Sequence, residues 1–299
     1  YAVLLGNGVI RAFQGPAGQA FLPQLVAPEH FPNAVTWSSS FFQTATILGP
    51  IAGGLIYGVA SIPAPVYGCA TVGYLIAVTL LWAIRPNVAA RKTLAQPAGL
   101  ILDGIRYIWR SKLLLGCMSL DLFAMLLGGA TALLPVYASA ILHTGASGLG
   151  LLRAAPGVGA VAVALVLAHY PLKRRAGLRM LYCVFGFGVF TIVFGLSHNL
   201  ALSLIALTLT GAFDMISVIV RSTLIQLTTP DEMRGRVSAV YMLFIGASNE
   251  VGQFESGITA QWFGTVPAVV LGGVGTIAVV LAWNWLFPAL RRVDRLTPS

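Results

Sequence analysis

The side chains of this sequence that could do chemistry are charges stranded in long apolar runs: Arg11, Asp121, Arg153, Asp214, Arg221, Glu250 and Glu255. An ionisable group at the centre of a membrane helix costs about 2.5–3.5 kcal/mol on insertion scales, so it usually borders a cavity and serves solute or protons. Asp214 and Glu250 fall near the midpoints of their runs, as does Arg11 if the first run is a complete helix. Arg153 and Arg221 fall near the ends of theirs, where a long side chain reaches the interface by snorkelling. Around Glu250, the residues Gly246, Asn249, Gln253 and Gly257 recur at helical spacing and lay one polar stripe along a helix. Such a stripe lines water or bonds a neighbouring helix. Asn and Gln suit the second use, and the ionisable Glu250 favours the first. Glu255 lies off the stripe.

Positioning these groups is the work of membrane-crossing helices. Of the 299 residues, 57% are hydrophobic and 9% charged, against about a quarter charged in a soluble domain. Crossing a hydrocarbon core of about 30 Å takes about 20 apolar residues. Such runs occur near 2–22, 38–59, 66–84, 113–137, 148–168, 180–197, 200–225, 238–261 and 266–288. The expected fold is an all-α membrane protein of about nine transmembrane helices. The runs near 66–84, 180–197 and 266–288 hold no ionisable residue, as expected if they face lipid while the others surround a pathway.

The net charge of +9 is topological. Alternate loops and the tail carry Arg85, Arg91, Lys92, Arg106, Arg110, Lys112, Lys173, Arg174, Arg175, Arg179, Arg234, Arg236, Arg291, Arg292 and Arg295. The opposite loops, around 60–65, 138–147, 198–199 and 262–265, carry no Lys or Arg. That is the positive-inside pattern, which puts the basic loops in the cytoplasm and argues against a nucleic-acid partner. Cys69, Cys117 and Cys183 lie inside apolar runs without metal spacing, so neither a disulfide framework nor a metal is expected. The sequence contains no HExxH, Walker loop or GxSxG, and Gly128-Gly129 sits inside an apolar run. No cofactor and no enzymatic activity are expected.

The longest basic stretch divides the chain. Residues 1–85 hold three runs, 86–112 read as a cytoplasmic linker, 113–290 hold six runs, and 291–299 form a tail. Within the linker, Ile101, Ile105 and Ile108 line one helical face, and Asp103, Arg106 and Arg110 the other. This amphipathic helix lies on the membrane surface, packs on the bundle, or is solvated; the sequence leaves all three open. A weak repeat crosses the linker: Gln24-Leu25-Val26-Ala27-Pro28-Glu29 and Gln226-Leu227-Thr228-Thr229-Pro230-Asp231 each end a run at a basic turn. Parallel repeats of six helices are a transporter architecture. With three runs before the linker and a start at Tyr1, the sequence reads as the C-terminal part of a longer protein. Ala45, Gly49 and Gly53 recur every four residues, beside Pro50 and Gly54, and let another helix approach closely.

Two of these stretches carry a family likeness. Arg11-Ala12-Phe13-Gln14-Gly15 resembles the RxxQG motif of the fourth helix of the major facilitator superfamily. Gly49-Pro50-Ile51-Ala52-Gly53-Gly54 resembles the GPxxGG motif of its fifth helix, which is associated with proton-exchanging exporters. Pro230-Asp231-Glu232-Met233-Arg234-Gly235-Arg236-Val237 and Ser248-Asn249-Glu250-Val251-Gly252 resemble the branch that contains siderophore and macrolide exporters. The resemblance implies a major facilitator-type helix bundle running from the fourth to the twelfth helix. One departure stands out: in the loop motif GxLaDRxGRR, Arg174 occupies the place of the Asp.

The combined expectation is a secondary transporter of the cytoplasmic membrane that exports small amphipathic molecules in exchange for protons by alternating access. A mid-depth carboxylate takes a proton when the cavity closes and releases it when water returns. Glu250 and Asp214, then Asp121, are the expected proton carriers; Asn249 and Gln253 share the pathway, and Arg11 modulates a neighbouring carboxylate, as the resemblance also implies. Gly49, Pro50, Gly53 and Gly54 form the antiporter-type motif. The alternatives are a proton-coupled importer on the same fold, a truncated fragment that transports nothing, and a membrane scaffold or sensor.

Overall fold

The computed structural model describes residues 31–84, 99–170 and 175–293, with a few single positions before residue 27. Regular structure among them is helical. In chain order the helices are α1 (Phe31–Ala60), α2 (Ala64–Ala83), α3 (Gly99–Arg110), α4 (Lys112–Gly128), α5 (Gly145–His169), α6 (Ala176–Leu196), α7 (Leu200–Thr228), α8 (Asp231–Phe263) and α9 (Thr265–Leu286).

Among the described residues, six segments are long and apolar enough to cross a membrane: α2, α4 with its continuation to Ile141, α5, α6, α7 and α9. The expected runs near 38–59 and 238–261 are present as α1 and α8, of 30 and 33 residues. In α1 only Thr44–Ala60 forms an apolar stretch, and in α8 the residues Asn249, Glu250, Gln253 and Glu255 dilute the apolar content. The expected run near 2–22 falls mostly outside the described residues, so the structure supplies six membrane-capable helices where the sequence suggests nine.

The chain forms two compact units, residues 1–46 with 62–96 and residues 47–61 with 97–299. In the smaller unit, Trp37 and Phe41 stack at 5.5 Å between ring centroids, and α2 has no buried residue.

The larger unit has three apolar clusters. Cys117, Leu120, Met180, Val184, Val220, Leu224 and Val280 join α4, α6, α7 and α9 toward their basic ends. Leu133, Tyr137, Leu152, Phe194, Leu207 and Val269 close the opposite end, where the Tyr137 hydroxyl donates to the Gly195 carbonyl at 2.8 Å. The third cluster seats α3: Ile108 packs with Leu114, Met118, Ile225, Val237 and Val240. A Cβ on Gly104 would lie 3.0 Å from the Arg236 carbonyl oxygen, so α3 and α8 meet at backbone distance there. Of the three placements open to the amphipathic helix, packing on the bundle is the one observed, reinforced by Asp103–Arg236 at 3.4 Å and by the Tyr107 hydroxyl on the Thr228 carbonyl at 3.3 Å.

Small residues set the spacing elsewhere. Gly211 of α7 lies on the Pro156 carbonyl of α5, and Gly159 of α5 lies on the Thr208 carbonyl of α7, leaving no room for a Cβ at either. Gly211→Val therefore pushes two helices apart along their longest shared face. A loss of about 1–3 kcal/mol is expected from overpacking, read as a lower apparent Tm of the purified protein in detergent.

The run near 113–137 is not one continuous helix. After Gly128 the chain breaks at Gly129, makes a 3₁₀ turn over Ala130–Leu133 and a short helical turn over Leu134–Val136, then widens into a π turn over Tyr137–Ile141. Pro135 lies in the reformed segment. The freed Gly129 carbonyl accepts from the Ser256 hydroxyl of α8 at 3.1 Å. Non-helical backbone at membrane depth persists only where protein or a cavity satisfies it, and both conditions hold here.

Candidate functional site

A cavity of about 200 Å³ lies at the break in α4, between the two end clusters. Its wall includes Gly128, Gly129 and Thr131 from the broken segment, Pro156 from α5, Phe187, Thr191 and Phe194 from α6, Thr210, Gly211 and Asp214 from α7, and Asn249 and Gln253 from α8. Along α7, Leu207 belongs to one apolar end, Thr210, Gly211 and Asp214 line the cavity, and Val220 and Leu224 belong to the other end. α4 and α6 repeat that order. The cavity is thus capped by apolar packing on either side at mid-helix depth.

Among the described residues, Asp214 is the only ionisable one of this wall. Among the described residues it makes no hydrogen bond or ion pair, so its carboxylate faces the cavity with the amides of Asn249 and Gln253. The α8 stripe is resolved by burial: Ser248, Gly252 and Ser256 face the bundle and are buried, whereas Gly246, Asn249, Glu250, Gln253 and Gly257 are exposed. The stripe is therefore not interhelical glue within the larger unit. Glu250 is exposed and does not line the cavity, which separates it from Asn249 and Gln253. Glu255 accepts from the Thr259 hydroxyl at 2.6 Å on its own helix.

Two further charges, Asp121 of α4 and Arg221 of α7, are paired with each other. Arg221 Nη1 lies 2.6 Å from Asp121 Oδ1, and the two side chains are 3% and 9% exposed. Arg221 Nε donates to the Tyr241 hydroxyl of α8 at 2.8 Å, and Nη1 reaches the Ser217 hydroxyl at 3.4 Å. The expectation that Arg221 snorkels is overturned. α7 continues to Thr228, leaving Arg221 two turns inside the helix, and Asp121 meets it across the bundle. Asp214, Ser217 and Arg221 follow i, i+3, i+7 spacing on one face of α7. Because Arg221 Nη1 reaches back to Ser217, the ion pair lies at the level of Ser217, about 5 Å along the helix from Asp214 at 1.5 Å per residue, within the apolar packing of the basic end.

The glycine motif of α1 packs on α5. A Cβ on Gly54 would lie 2.7 Å from the Ala146 carbonyl oxygen and 3.0 Å from the Gly150 Cα, and a Cβ on Gly150 would meet the Pro50 carbonyl. Gly49 has open space around it. Pro50 and Gly54 thus make the close approach, and Gly53 is partly buried beside them. Arg153 is exposed near the start of α5. Arg11 and Arg174 lie outside the described residues.

A family model described as transmembrane secretion effector, a branch of the major facilitator superfamily, matches residues 2–297. The chain belongs to this family. It is 27% identical over 300 residues to the enterobactin exporter EntS of Citrobacter koseri, an alignment that spans 100% of this chain and 71% of that protein. The same exporter from Escherichia coli O81 is 26% identical over 299 residues, and that of Shigella flexneri 25% over 301, with the same coverage of each. This secretion-effector chain is accordingly a multi-pass membrane transporter, not an enzyme.

Two wall elements of this major facilitator protein escape a reading by residue type. Gly128-Gly129 reads as small residues in an apolar helix, yet it is where α4 opens. The run near 180–197, within α6, carries no ionisable residue and was expected to face lipid, yet Phe187, Thr191 and Phe194 line the cavity. The Gly-Gly pair followed by Pro135 is the signal that could have located the break.

Proposed function

We propose that this chain is part of a proton-coupled exporter of small amphipathic molecules in the cytoplasmic membrane, working by alternating access with Asp214 as the proton-carrying group. The observation that carries the proposal is the contrast between two acids on facing helices. Asp121 is buried and held by Arg221, whereas Asp214 opens into the mid-depth cavity with Asn249, Gln253, Thr191 and Thr210. A cavity walled by aromatic rings, small residues and a few amides and hydroxyls suits a cargo with an apolar body and polar edges. Efflux agrees with the names of the exporter relatives and with the Gly49–Gly54 motif; enterobactin, which those names print, is the first cargo to try. In this reading the chain corresponds to the fourth to twelfth helices, with residues 113–290 forming one six-helix bundle, and Glu250 acts outside the described cavity.

The test uses protein reconstituted in vesicles carrying a pH indicator, with a proton gradient imposed and enterobactin or a lipophilic dye added. Protons moving opposite to the cargo are the expected result. Movement in the same direction would make the protein an importer, and an absence of cargo-stimulated proton movement would reject coupling.

A further inference from the structure

A second hollow of about 300 Å³ lies where α3, α4 and α8 meet. It shares no residue with the cavity at the break in α4. Ile108 and Trp109 of α3, Leu115, Met118 and Phe123 of α4, and Phe244 of α8 form its wall. Ser119 is its one polar residue, and that hydroxyl is already committed: it donates to the Leu115 carbonyl and accepts from Trp283 Nε1 at 3.0 Å. The groove therefore offers nothing to a polar ligand. Trp109 and Phe123 are exposed at its rim, at 67% and 39%.

Three features select one occupant. The first is setting: in a chain with six membrane-capable helices, an exposed apolar groove beside such a helix meets lipid tails. Length is the second. From Leu115 to Phe123 the groove follows α4 for about 12 Å at 1.5 Å per residue, close to the depth of one leaflet in a core of about 30 Å. Charge is the third. The groove begins at the α3–α4 junction, where exposed Lys112, one turn before Leu115 on the same face of α4, makes no ion pair among the described residues. The acid of α3, Asp103, is shared between Arg236 at 3.4 Å and Arg106 at 4.0 Å. Basic side chains just outside a membrane span attract anionic headgroups.

We propose that this groove is a binding site for an anionic phospholipid of the cytoplasmic leaflet, one acyl chain lying against Leu115, Met118 and Phe123 and the phosphate against Lys112. A seated lipid bridges α3 to α4 and α8, extending the contact that Ile108 and Gly104 begin.

The experiment reconstitutes the protein in phosphatidylcholine vesicles containing a trace of phosphatidylglycerol with a photoactivatable acyl chain; cross-linked peptides are then mapped by mass spectrometry. Label should concentrate on residues 105–123 and Phe244, about ten-fold above the lipid-facing surface of α2. The enrichment should vanish when the photoactivatable lipid is phosphatidylcholine, and in the surface variant Lys112→Gln. Met118→Trp, which fills the groove, should also remove it. Equal labelling by the two lipids, or a density no higher than on α2, overturns the proposal in favour of ordinary boundary lipid. Displacement of the label by a lipophilic dye but not by unlabelled phosphatidylglycerol overturns it in favour of a cargo site. The wild-type comparison of two lipids decides the matter even if a variant fails to fold.

Discussion

Asp121→Leu is expected to destabilise the protein by about 3–5 kcal/mol, because it leaves the guanidinium of Arg221 buried without its counter-charge. Arg221 cannot relieve the strain by losing its proton, since arginine remains charged in proteins. Nor can it escape to water without dragging its chain through the packing of Val220 and Leu224. Tyr241 and Ser217 still accept hydrogen bonds from it, but neither carries charge. Removing both ends of the pair tests the cause. Asp121→Leu/Arg221→Met replaces two buried charges by apolar groups of similar size, and such replacements are often neutral or stabilising. The double variant should therefore recover most of the apparent Tm lost by either single variant in detergent. A double variant no more stable than Asp121→Leu would mean that the pair is not what joins α4 to α7.

Asp214→Asn should stop proton-coupled transport, lowering cargo-driven proton movement at least about a hundred-fold, the scale of losing an essential proton-transfer group. Its apparent Tm should stay close to that of the parent, since Asp214 makes no hydrogen bond or ion pair among the described residues and Asn nearly preserves its shape. Loss of transport with unchanged stability distinguishes this residue from Asp121. Cargo binding, followed by quenching of intrinsic fluorescence, should survive in Asp214→Asn, while Asp214→Glu should retain part of the coupled flux. Glu250→Gln provides the comparison: Glu250 lies outside the cavity, and if it alone abolishes coupling while Asp214→Asn does not, the proton-carrying group has been assigned to the wrong helix.

Much of this arrangement is legible in the sequence, for reasons that differ by residue. Membrane helices announce themselves through length and apolar content, so α2, α4, α5, α6, α7 and α9 follow from composition. Asp214, Asn249 and Gln253 stand out because a polar group in an apolar run is costly, and the structure puts all three on one cavity wall. Their convergence, however, is a matter of how α7 and α8 rotate against α4, and no spacing within one helix encodes that. The same limit explains Arg221. Helix periodicity places it near an end, but only the partner on α4, Asp121 at 2.6 Å, turns an interfacial residue into a buried one. Glu250 and Asn249 are neighbours in sequence, and the turn of helix between them decides which one lines the cavity.

A continuous segment from Lys112 to Ile141 would be a stiff rod of about 45 Å at 1.5 Å per residue, and any tilt at one end would swing the other. The interruption at Gly129 removes that leverage. The half carrying Asp121 is anchored by its charge to α7, and the half carrying Tyr137 is anchored by its hydroxyl to α6. Each can follow its own anchor, so the two halves can tilt separately and change the width of the chamber between them.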